Sequence, residues 1–248
     1  MSQNLLEIAL FPCLSDNYGL LIHDPVSEET AAIDTPEVSK IEAACLERGW
    51  TLTQIWNTHH HPDHTGGNLT LKQNHGLTIT GPDQIKGRIP GLDKGVSGGD
   101  HFMFGGHKVD VIFTPGHTQD HIIYHVPDAH NGQGAAFVGD TIFVLGCGRL
   151  FEGSPADMHG SMAAIAKLPD ETKLYCAHEY TLSNARFAIT VEPDNQDLLD
   201  YVEHAKTLRE KGIPTVPTTV AMERKTNPFM RAPTPERLGE IRAAKDSF

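Results

Sequence analysis

The stretch Thr58-His59-His60-His61-Pro62-Asp63-His64-Thr65-Gly66-Gly67 places four histidines and one aspartate within six residues. It follows an apolar run at residues 52–57 that predicts a β-strand, and a helical pattern comes after it, so we expect a loop at a strand end. Imidazole nitrogens and carboxylate oxygens are ligands that zinc and similar divalent metals prefer. The HxHxDH spacing lets side chains of one compact loop point at different centres, so one loop can serve two adjacent metal ions.

Three further donors follow later apolar runs, each beside a turn residue or a polar cap: His117, Asp140 and His178. A single histidine or aspartate at such a position is usually a surface or capping residue. That explanation does not account for a loop with five donors joined by three more at strand ends, because a loop without a metal does not need so many ligand groups. The sequence therefore predicts a metal site.

Short apolar runs and helical spacings predict the fold class. The first series of strands is expected at residues 5–11, 20–23, 31–33 and 52–57, with a helix over 37–48. The second series is expected at residues 107–113, 122–126, 135–138 and 173–176, with a helix over 155–167. Two series of strands, each closed by helices, predict an α/β (α+β) domain built from two packed sheets.

The pattern changes after residue 178. Helices are predicted over 182–190, 195–211 and 235–245, and no strand pattern is evident there. We therefore expect a large β-rich domain over residues 1–178 and a small helical domain over residues 179–248.

Composition narrows the possible partners and location. The formal net charge of −12 disfavours general nucleic-acid binding, which needs concentrated positive charge. No run approaches the roughly 18 apolar residues of a membrane span, and the first residues do not resemble a signal peptide, so we expect a cytoplasmic protein without a membrane partner. The four cysteines lie far apart without a CxxC pair, which predicts packing residues rather than disulfides. The small second domain makes a monomer the simplest expectation.

Three segments are more specific than the histidine loop: residues 139–149 (GDTIFVLGCGR), 177–181 (AHEYT) and 227–231 (NPFMR). With the loop, they resemble the metallo-β-lactamase superfamily and its glyoxalase II (hydroxyacylglutathione hydrolase) branch over essentially the whole chain. The resemblance implies a metallo-β-lactamase αββα sandwich of two mixed sheets flanked by helices, plus a small helical C-terminal domain. It also implies hydrolysis of the thioester S-D-lactoylglutathione to glutathione and D-lactate, the second step of methylglyoxal detoxification.

The resemblance further implies two divalent metal ions and assigns their ligands. One ion would be held by His59, His61 and His117, the second by Asp63, His64 and His178, and Asp140 would bridge them. No ligand role is implied for His60, for which packing or support of a ligand is expected. Asp34 also matches a family motif, either as a turn or capping residue or as support for a ligand. Zinc is the metal expected first, with iron and manganese as alternatives.

The expected reaction needs no serine or cysteine nucleophile. Two divalent ions can lower the pKa of a shared water toward about 7, and Asp63 and Asp140 would hold the resulting hydroxide between the metals. No G-x-S-x-G motif is present. A thiolate leaving group, with an unperturbed pKa of about 8.5, requires no strong general acid at neutral pH.

Four residues resemble the family's substrate contacts. Arg149 and Tyr180 match positions that contact the peptide part of glutathione, while Arg242 and Lys245 resemble an Arg-x-x-Lys clamp for the glycine carboxylate. Without the resemblance, such a helical pair would more often be a solvated surface. Phe151 stands where some members carry tyrosine, so one hydrogen bond worth about 0.5–1.5 kcal/mol would be missing.

Other functions of this fold and beyond it give alternative hypotheses. A glutathione persulfide dioxygenase would use one iron and would not need Asp63, His64 and His178 as a second ligand set. A β-lactamase or lactonase of this fold is a further alternative, although a β-lactamase would normally be exported and would lack the helical tail. The acidic charge disfavours a nuclease, and the intact ligand set disfavours a non-catalytic metal-binding protein.

Overall fold

The computed structural model describes residues 5–84, 87–130 and 132–248. Its contacts divide the chain into two compact units. The first comprises the chain up to Phe113 together with Asp120–Phe137, and the second comprises Thr114–Gln119 and Val138–Phe248. The domain boundary expected from sequence, between residues 1–178 and 179–248, differs from the limits of these two units. It stays a prediction.

The first unit contains two sheets and three helices among its described residues. Its elements are β1 (Glu7–Cys13), β2 (Asn17–His23), β3 (Thr30–Ile33), α1 (Val38–Arg48), β4 (Gln54–Trp56), α2 (Pro62–Thr65), α3 (Asn68–His75), β5 (Thr78–Pro82), β6 (Lys94–Val96), β7 (His101–Phe104), β8 (His107–Phe113), β9 (Ile122–His130) and β10 (Gln133–Gly139). Strand β10 ends with Val138 and Gly139, which belong to the second unit.

The first sheet is mixed and has the strand order β1-β2-β3-β4-β5-β6. Its first three strands are antiparallel, and β3 to β6 are parallel. In this register Ile33 of β3 lies opposite Trp56 of β4. The carboxyl ends of these two parallel strands therefore meet at one edge, which brings Asp34 beside residues 57 and 58.

Helices α1 and α3 cover one face of this sheet. Ile41 and Ala44 of α1 and Leu71 of α3 belong to one buried cluster with strand residues such as Ala32 and Ile55. Helix α1 ends at Gly49, whose φ of 69° is the left-handed conformation that glycine adopts without steric cost. Because β3 and β4 are also buried on their other face, they read as continuous apolar runs rather than alternating ones.

The other face of the first sheet packs on a second sheet. Strands β7 to β10 form an antiparallel meander, paired β7 with β8, β8 with β9, and β9 with β10. Fully buried Trp56 of β4 contacts Phe102 and Phe104 of β7, each with ring centroids 5.1 Å away. The Tyr124 hydroxyl of β9 donates a 2.8 Å hydrogen bond to the Asn57 carbonyl. These contacts join the two layers of the sandwich.

The second unit is mainly helical and carries only short strands after β10. Its elements are β11 (Ile142–Phe143), β12 (Gly146–Cys147), α4 (Pro155–Ile165), β13 (Lys173–Cys176), α5 (Thr181–Val191), α6 (Gln196–Glu210), β14 (Thr218–Thr219), α7 (Val220–Thr226) and α8 (Pro235–Asp246). Helices α4 and α8 pack together and begin in the same way: Ser154 and Thr234 cap them, and a proline follows each cap.

The predicted arrangement of two sheets with flanking helices and a helical C-terminal part is confirmed. The main strands and helices of the sequence analysis all occur, with ends that differ by a few residues. Shorter elements were not predicted, among them β7, the hairpin β11–β12 and α7. The expectation of no strand beyond residue 178 is wrong by one two-residue strand, because β14 pairs with β13.

The four cysteines are buried free thiols, as predicted from their spacing. Burial raises the pKa of the Cys176 thiol to about 12, which keeps it protonated and unreactive at neutral pH. Among the described helices, none has the length and apolar character needed to cross a membrane.

The contacts of Trp56 generate a stability prediction. Trp56→Ala should lower the free energy of unfolding by about 3–5 kcal/mol, because it leaves a cavity between the two sheets. Trp50→Ala is the matched control: Trp50 is half-buried and stacks on His23 with ring centroids 4.6 Å apart, so its loss should cost about 1 kcal/mol. Urea denaturation followed by circular dichroism would test this, and equal losses for both variants would contradict the role of Trp56.

Candidate functional site

The histidine loop of the first unit connects β4 to α2. Pro62 occupies the first turn of α2, where its missing N–H costs no hydrogen bond. This tight turn places the rings of His59 and His64 with centroids 4.1 Å apart, and those of His59 and His61 4.7 Å apart. The loop donors therefore converge as the sequence predicts, and His59 and His64 are buried.

Asp34 orients two of these imidazoles. One carboxylate oxygen, Oδ1, accepts the Thr58 N–H at 2.8 Å. The other, Oδ2, lies 2.9 Å from His64 Nδ1 and accepts the Thr58 hydroxyl at 2.8 Å. Because that hydroxyl donates to Asp34, its oxygen is left to accept from His59 Nδ1, 3.0 Å away. Both rings are thereby protonated on Nδ1, which leaves the Nε2 lone pair to bind a metal ion.

The backbone conformation of Asp34 favours an aspartate at this position. Its φ is 59°, a left-handed conformation that aspartate tolerates better than most residues. It is not the N-cap of α1, since Glu37 occupies that position. The side-chain contacts of Asp34 fit support of the histidines, and its left-handed backbone fits the turn role that the sequence also allowed.

Asp63 and His60 have their own partners in the first unit. The Asn17 amide donates to Asp63 Oδ2 at 3.1 Å, which fixes that carboxylate. His60 Nδ1 lies 3.1 Å from Asp120 Oδ1, and the Arg88 guanidinium lies within 3.4 Å of the same ring. His60 thus has an acidic partner outside the loop, and its expected role in packing or in support of a ligand stays a prediction.

In the second unit, strand ends bring together His117, Asp140 and His178. The Ala177 N–H donates to the Gly139 carbonyl at 3.2 Å, so the ends of β13 and β10 lie side by side. Asp140 Oδ2 lies 3.4 Å from His117 Nε2, and its Oδ1 lies 3.4 Å from His178 Nε2. All three side chains are buried. One carboxylate therefore faces two imidazoles through its two oxygens, which is the arrangement expected of a bridging ligand.

The protonation pattern of the rings fits a divalent cation. His117 Nδ1 donates to the Arg149 carbonyl at 2.9 Å, so its Nε2 carries the lone pair that faces Asp140. In the first unit His64 Nε2, with its proton on Nδ1, lies 3.3 Å from Asp63 Oδ2. Two electron-pair donors facing each other repel unless a cation lies between them. The donor set of each unit is therefore suited to a metal such as zinc.

Arg242 and Lys245 lie on α8, and neither is a freely solvated helix residue. Arg242 is 4% exposed; its Nη1 donates to the Cys147 carbonyl and its Nη2 pairs with Asp246, both at 2.9 Å. The Lys245 ammonium donates to the Asn184 side chain. Burial, and next the neighbouring Arg242, lower the pKa of Lys245 to about 8. Lys245 is thus charged at pH 7 and loses its charge within the range of ordinary assays.

Arg149, Phe151 and Tyr180 lie beside the donors of the second unit. The side chain of Arg149 is largely exposed, with Nε 3.9 Å from Asp246 Oδ1. The Tyr180 ring stacks on His178 with centroids 4.8 Å apart, and exposed Phe151 meets the His117 ring edge-on at 5.3 Å. The predicted substrate contacts are therefore neighbours of His117 or His178, or lie on α8.

Sequence reasoning missed Asn17 and Thr58 as partners of the donors. Thr58 immediately precedes the loop, so its position was a usable signal. Asn17 lies 46 residues before Asp63, and no local pattern connects them.

Asp34→Asn provides a test of the histidine orientation. The side-chain N–H groups of the new amide would face His64 Nδ1 and the Thr58 hydroxyl, which both donate in the wild type. His64 would then have to carry its proton on Nε2, and that nitrogen could no longer bind a metal ion. We expect the metal dissociation constant to rise about 10- to 100-fold, measured by competition with a chromophoric chelator. Asp128→Asn is the matched control, because Asp128 pairs with His107 Nδ1 at 3.1 Å away from the loop. Equal affinities of Asp34→Asn and wild type would contradict this role.

Comparison with known proteins assigns the chain to a family. Residues 20–178 match the family model of the metallo-beta-lactamase superfamily, and residues 179–248 match that of the hydroxyacylglutathione hydrolase C-terminus. The chain is 52% identical to a hydroxyacylglutathione hydrolase of Maricaulis maris and 49% identical to one of Hyphomonas neptunium, each over 98% of this chain and 99% of the relative. The crystal structure of ETHE1 from Myxococcus xanthus is similar with a TM-score of 0.72 at 25% identity, covering 96% of this chain and 90% of that one. The chain therefore belongs to the hydroxyacylglutathione hydrolase family within the metallo-β-lactamase superfamily.

Proposed function

We propose that this chain is a thioester hydrolase that cleaves S-D-lactoylglutathione, and other S-(2-hydroxyacyl)glutathiones, to glutathione and the free hydroxy acid. With S-D-lactoylglutathione the acid is D-lactate, which completes methylglyoxal detoxification. The observation that carries the proposal is the pair of donor sets, each with a histidine turned by a hydrogen bond on Nδ1 toward a carboxylate. Family membership assigns the substrate class to this chemistry.

We further propose that two divalent metal ions complete the site. His59, His61 and His117 would hold one ion, Asp63, His64 and His178 would hold the other, and Asp140 would bridge the two. The two oxygens of Asp140, each directed to a different imidazole, support the bridging role. Zinc is the metal we expect, although the same donors accept iron or manganese.

The protein's own residues then have distinct roles in the reaction. When bound, such ions lower the pKa of a coordinated water toward about 7 and polarise a carbonyl oxygen. Asp63 and Asp140 would hold the resulting hydroxide, and the hydrogen bond from Asn17 limits the freedom of the Asp63 side chain. No general acid is required, because a thiolate with an unperturbed pKa of about 8.5 leaves readily at neutral pH.

Arg149, Tyr180, Arg242 and Lys245 are proposed to bind the glutathione part of the substrate. Glutathione carries two carboxylates, so a protein of net charge −12 needs a local cationic surface to bind it. The last 48 residues supply one, with 9 basic against 6 acidic side chains. Residues 1–178 would then form the catalytic domain and residues 179–248 the substrate-binding domain. The cytoplasmic location and the monomeric state stay predictions.

The direct test of function follows the loss of thioester absorbance of S-D-lactoylglutathione with purified protein. We expect rapid hydrolysis that a chelator abolishes and added zinc restores. Glutathione persulfide is the control substrate, and oxygen uptake on it without thioester hydrolysis would contradict the proposal in favour of a dioxygenase.

Lys245 predicts a pH dependence of substrate affinity. Because its pKa is lowered to about 8, the ammonium is charged below that pH and neutral above it. We therefore expect the KM for S-D-lactoylglutathione to rise between pH 7 and 9 with a smaller change in kcat.

Lys245→Arg keeps a charge throughout that range and should remove this rise. It also controls for titration of the substrate's own amine. Identical KM profiles of the variant and the wild type would show that Lys245 does not bind the substrate carboxylate.

A further inference from the structure

The hairpin β11–β12 lies between Asp140 and Arg149, and among the described strands each of its strands pairs with the other alone. Its two strands form a separate two-stranded sheet, with Ile142 opposite Cys147 and Phe143 opposite Gly146. The backbone groups that point away from this pair are buried, and buried N–H and C=O groups need partners. In this hairpin several of the partners are side chains from the C-terminal helices.

Two side chains of the α7 segment form hydrogen bonds with the hairpin turn. The Leu145 N–H donates to Glu223 Oε2 at 3.0 Å. The side-chain amide of Asn227, just past the end of α7, donates to the Gly146 carbonyl at 2.9 Å, the Phe143 carbonyl at 3.2 Å and Glu223 Oε2 at 2.9 Å. Glu223 and Asn227 thus form one hydrogen-bonded unit, which we call the hairpin clamp.

Helices α5 and α8 add two further contacts to the same turn. Asn184 of α5 donates to the Val144 carbonyl, and Arg242 of α8 donates to the Cys147 carbonyl, each at 2.9 Å. Side chains from three separate parts of the C-terminal region therefore determine where this hairpin lies.

The segment that contains the hairpin also fixes two of the metal-ligand candidates. Asp140 lies two residues before β11, and the Arg149 carbonyl, two residues after β12, accepts the hydrogen bond from His117 Nδ1. The packing is tight between them: a Cβ on Gly148 would lie 2.1 Å from the Asp140 carbonyl oxygen and 2.9 Å from His117 Nδ1. A displacement of the hairpin would therefore move Asp140 and would also break the hydrogen bond that orients the His117 ring.

We propose that Glu223 and Asn227 are positioning residues of the metal centre, which act by holding the β11–β12 hairpin so that Asp140 and His117 keep their ligand geometry. This inference rests on the proposed function, since it presupposes that Asp140 and His117 bind metal. It assigns the C-terminal region a second task besides binding the substrate.

The cost of the clamp supports a positioning role. The Glu223 carboxylate is fully buried and has no cation partner among its described contacts; its Oε1 accepts only the Thr218 hydroxyl, at 2.8 Å. Burial raises its pKa to about 7. Leu145, which it holds, has a φ of 60°, a strained conformation for leucine. Because a buried carboxylate costs free energy unless it is hydrogen-bonded, the contacts of Glu223 with Leu145, Asn227 and Thr218 keep it at the hairpin turn.

The test compares metal binding of Asn227→Ala with that of the wild-type holoenzyme. We expect the zinc dissociation constant, from competition with a chromophoric chelator, to rise about 10- to 100-fold. We also expect the visible absorption bands of the cobalt-substituted protein to shift, because Asp140 and His117 lose their fixed orientation.

Asn195→Ala is the matched control for a general loss of stability. Asn195 caps α6 by accepting the Leu198 N–H at 3.2 Å and donates to the Lys225 carbonyl, and no contact with the hairpin is described for it. It should lower the melting temperature without changing the zinc affinity or the cobalt spectrum.

Asn227→Asp serves if the alanine variant does not fold. It has the same shape and still accepts the Phe229 N–H, but it cannot donate to the hairpin carbonyls. Wild-type zinc affinity and cobalt bands in a folded Asn227 variant would overturn the inference. A wild-type protein that binds no metal would instead overturn the proposed function.

Discussion

The carboxylate of Asp34 is the constraint on which the orientation of the candidate metal ligands in the first unit depends. It receives the backbone N–H and hydroxyl of Thr58 and the Nδ1 proton of His64, and through Thr58 it sets the proton of His59. An imidazole binds a metal only through a nitrogen without a proton. One buried aspartate thus decides which nitrogen carries the proton in two histidines. Its place depends on the parallel pairing of β3 with β4, which brings the ends of those strands together.

In the second unit a backbone carbonyl, rather than a carboxylate, sets the proton position of a histidine. The Arg149 carbonyl accepts from His117 Nδ1, so the ring again presents Nε2 to a carboxylate, here Asp140. A carbonyl that orients a ligand must itself be held, and Arg149 follows a hairpin whose turn is bound by side chains from the C-terminal helices. The chemistry of the donors therefore depends on residues far from the histidine loop in sequence. In each unit the donors come from strand ends, while the orientation comes from the elements packed beside those strands.

The sequence predicted the donors because they occur in contiguous motifs at the ends of apolar runs. His59, His61, Asp63 and His64 needed only the local loop pattern, and their convergence in the first unit agrees with it. The long strands were predictable for a similar reason, since burial on both faces produces continuous apolar runs such as β3 and β4. Short elements such as β11, β12 and β14 were not predictable, because two residues carry no periodic signal.

Contacts between distant residues were beyond sequence reasoning. Asp34 had two possible roles from sequence, and its partners Thr58 and His64 lie 24 and 30 residues away. Arg242 resembled a substrate clamp, yet one of its hydrogen bonds reaches Cys147, 95 residues before it. No sequence pattern indicated that Glu223 is buried, since a glutamate on a helix is normally exposed.

The most direct test of the proposed metal centre is a crystal structure of the zinc-loaded protein with anomalous diffraction measured at the zinc edge. We expect two zinc peaks roughly 3.5–4 Å apart, with Asp140 between them and the Nε2 atoms of His59, His64 and His117 as ligands. A single peak, or zinc bound through Nδ1 of these histidines, would contradict it.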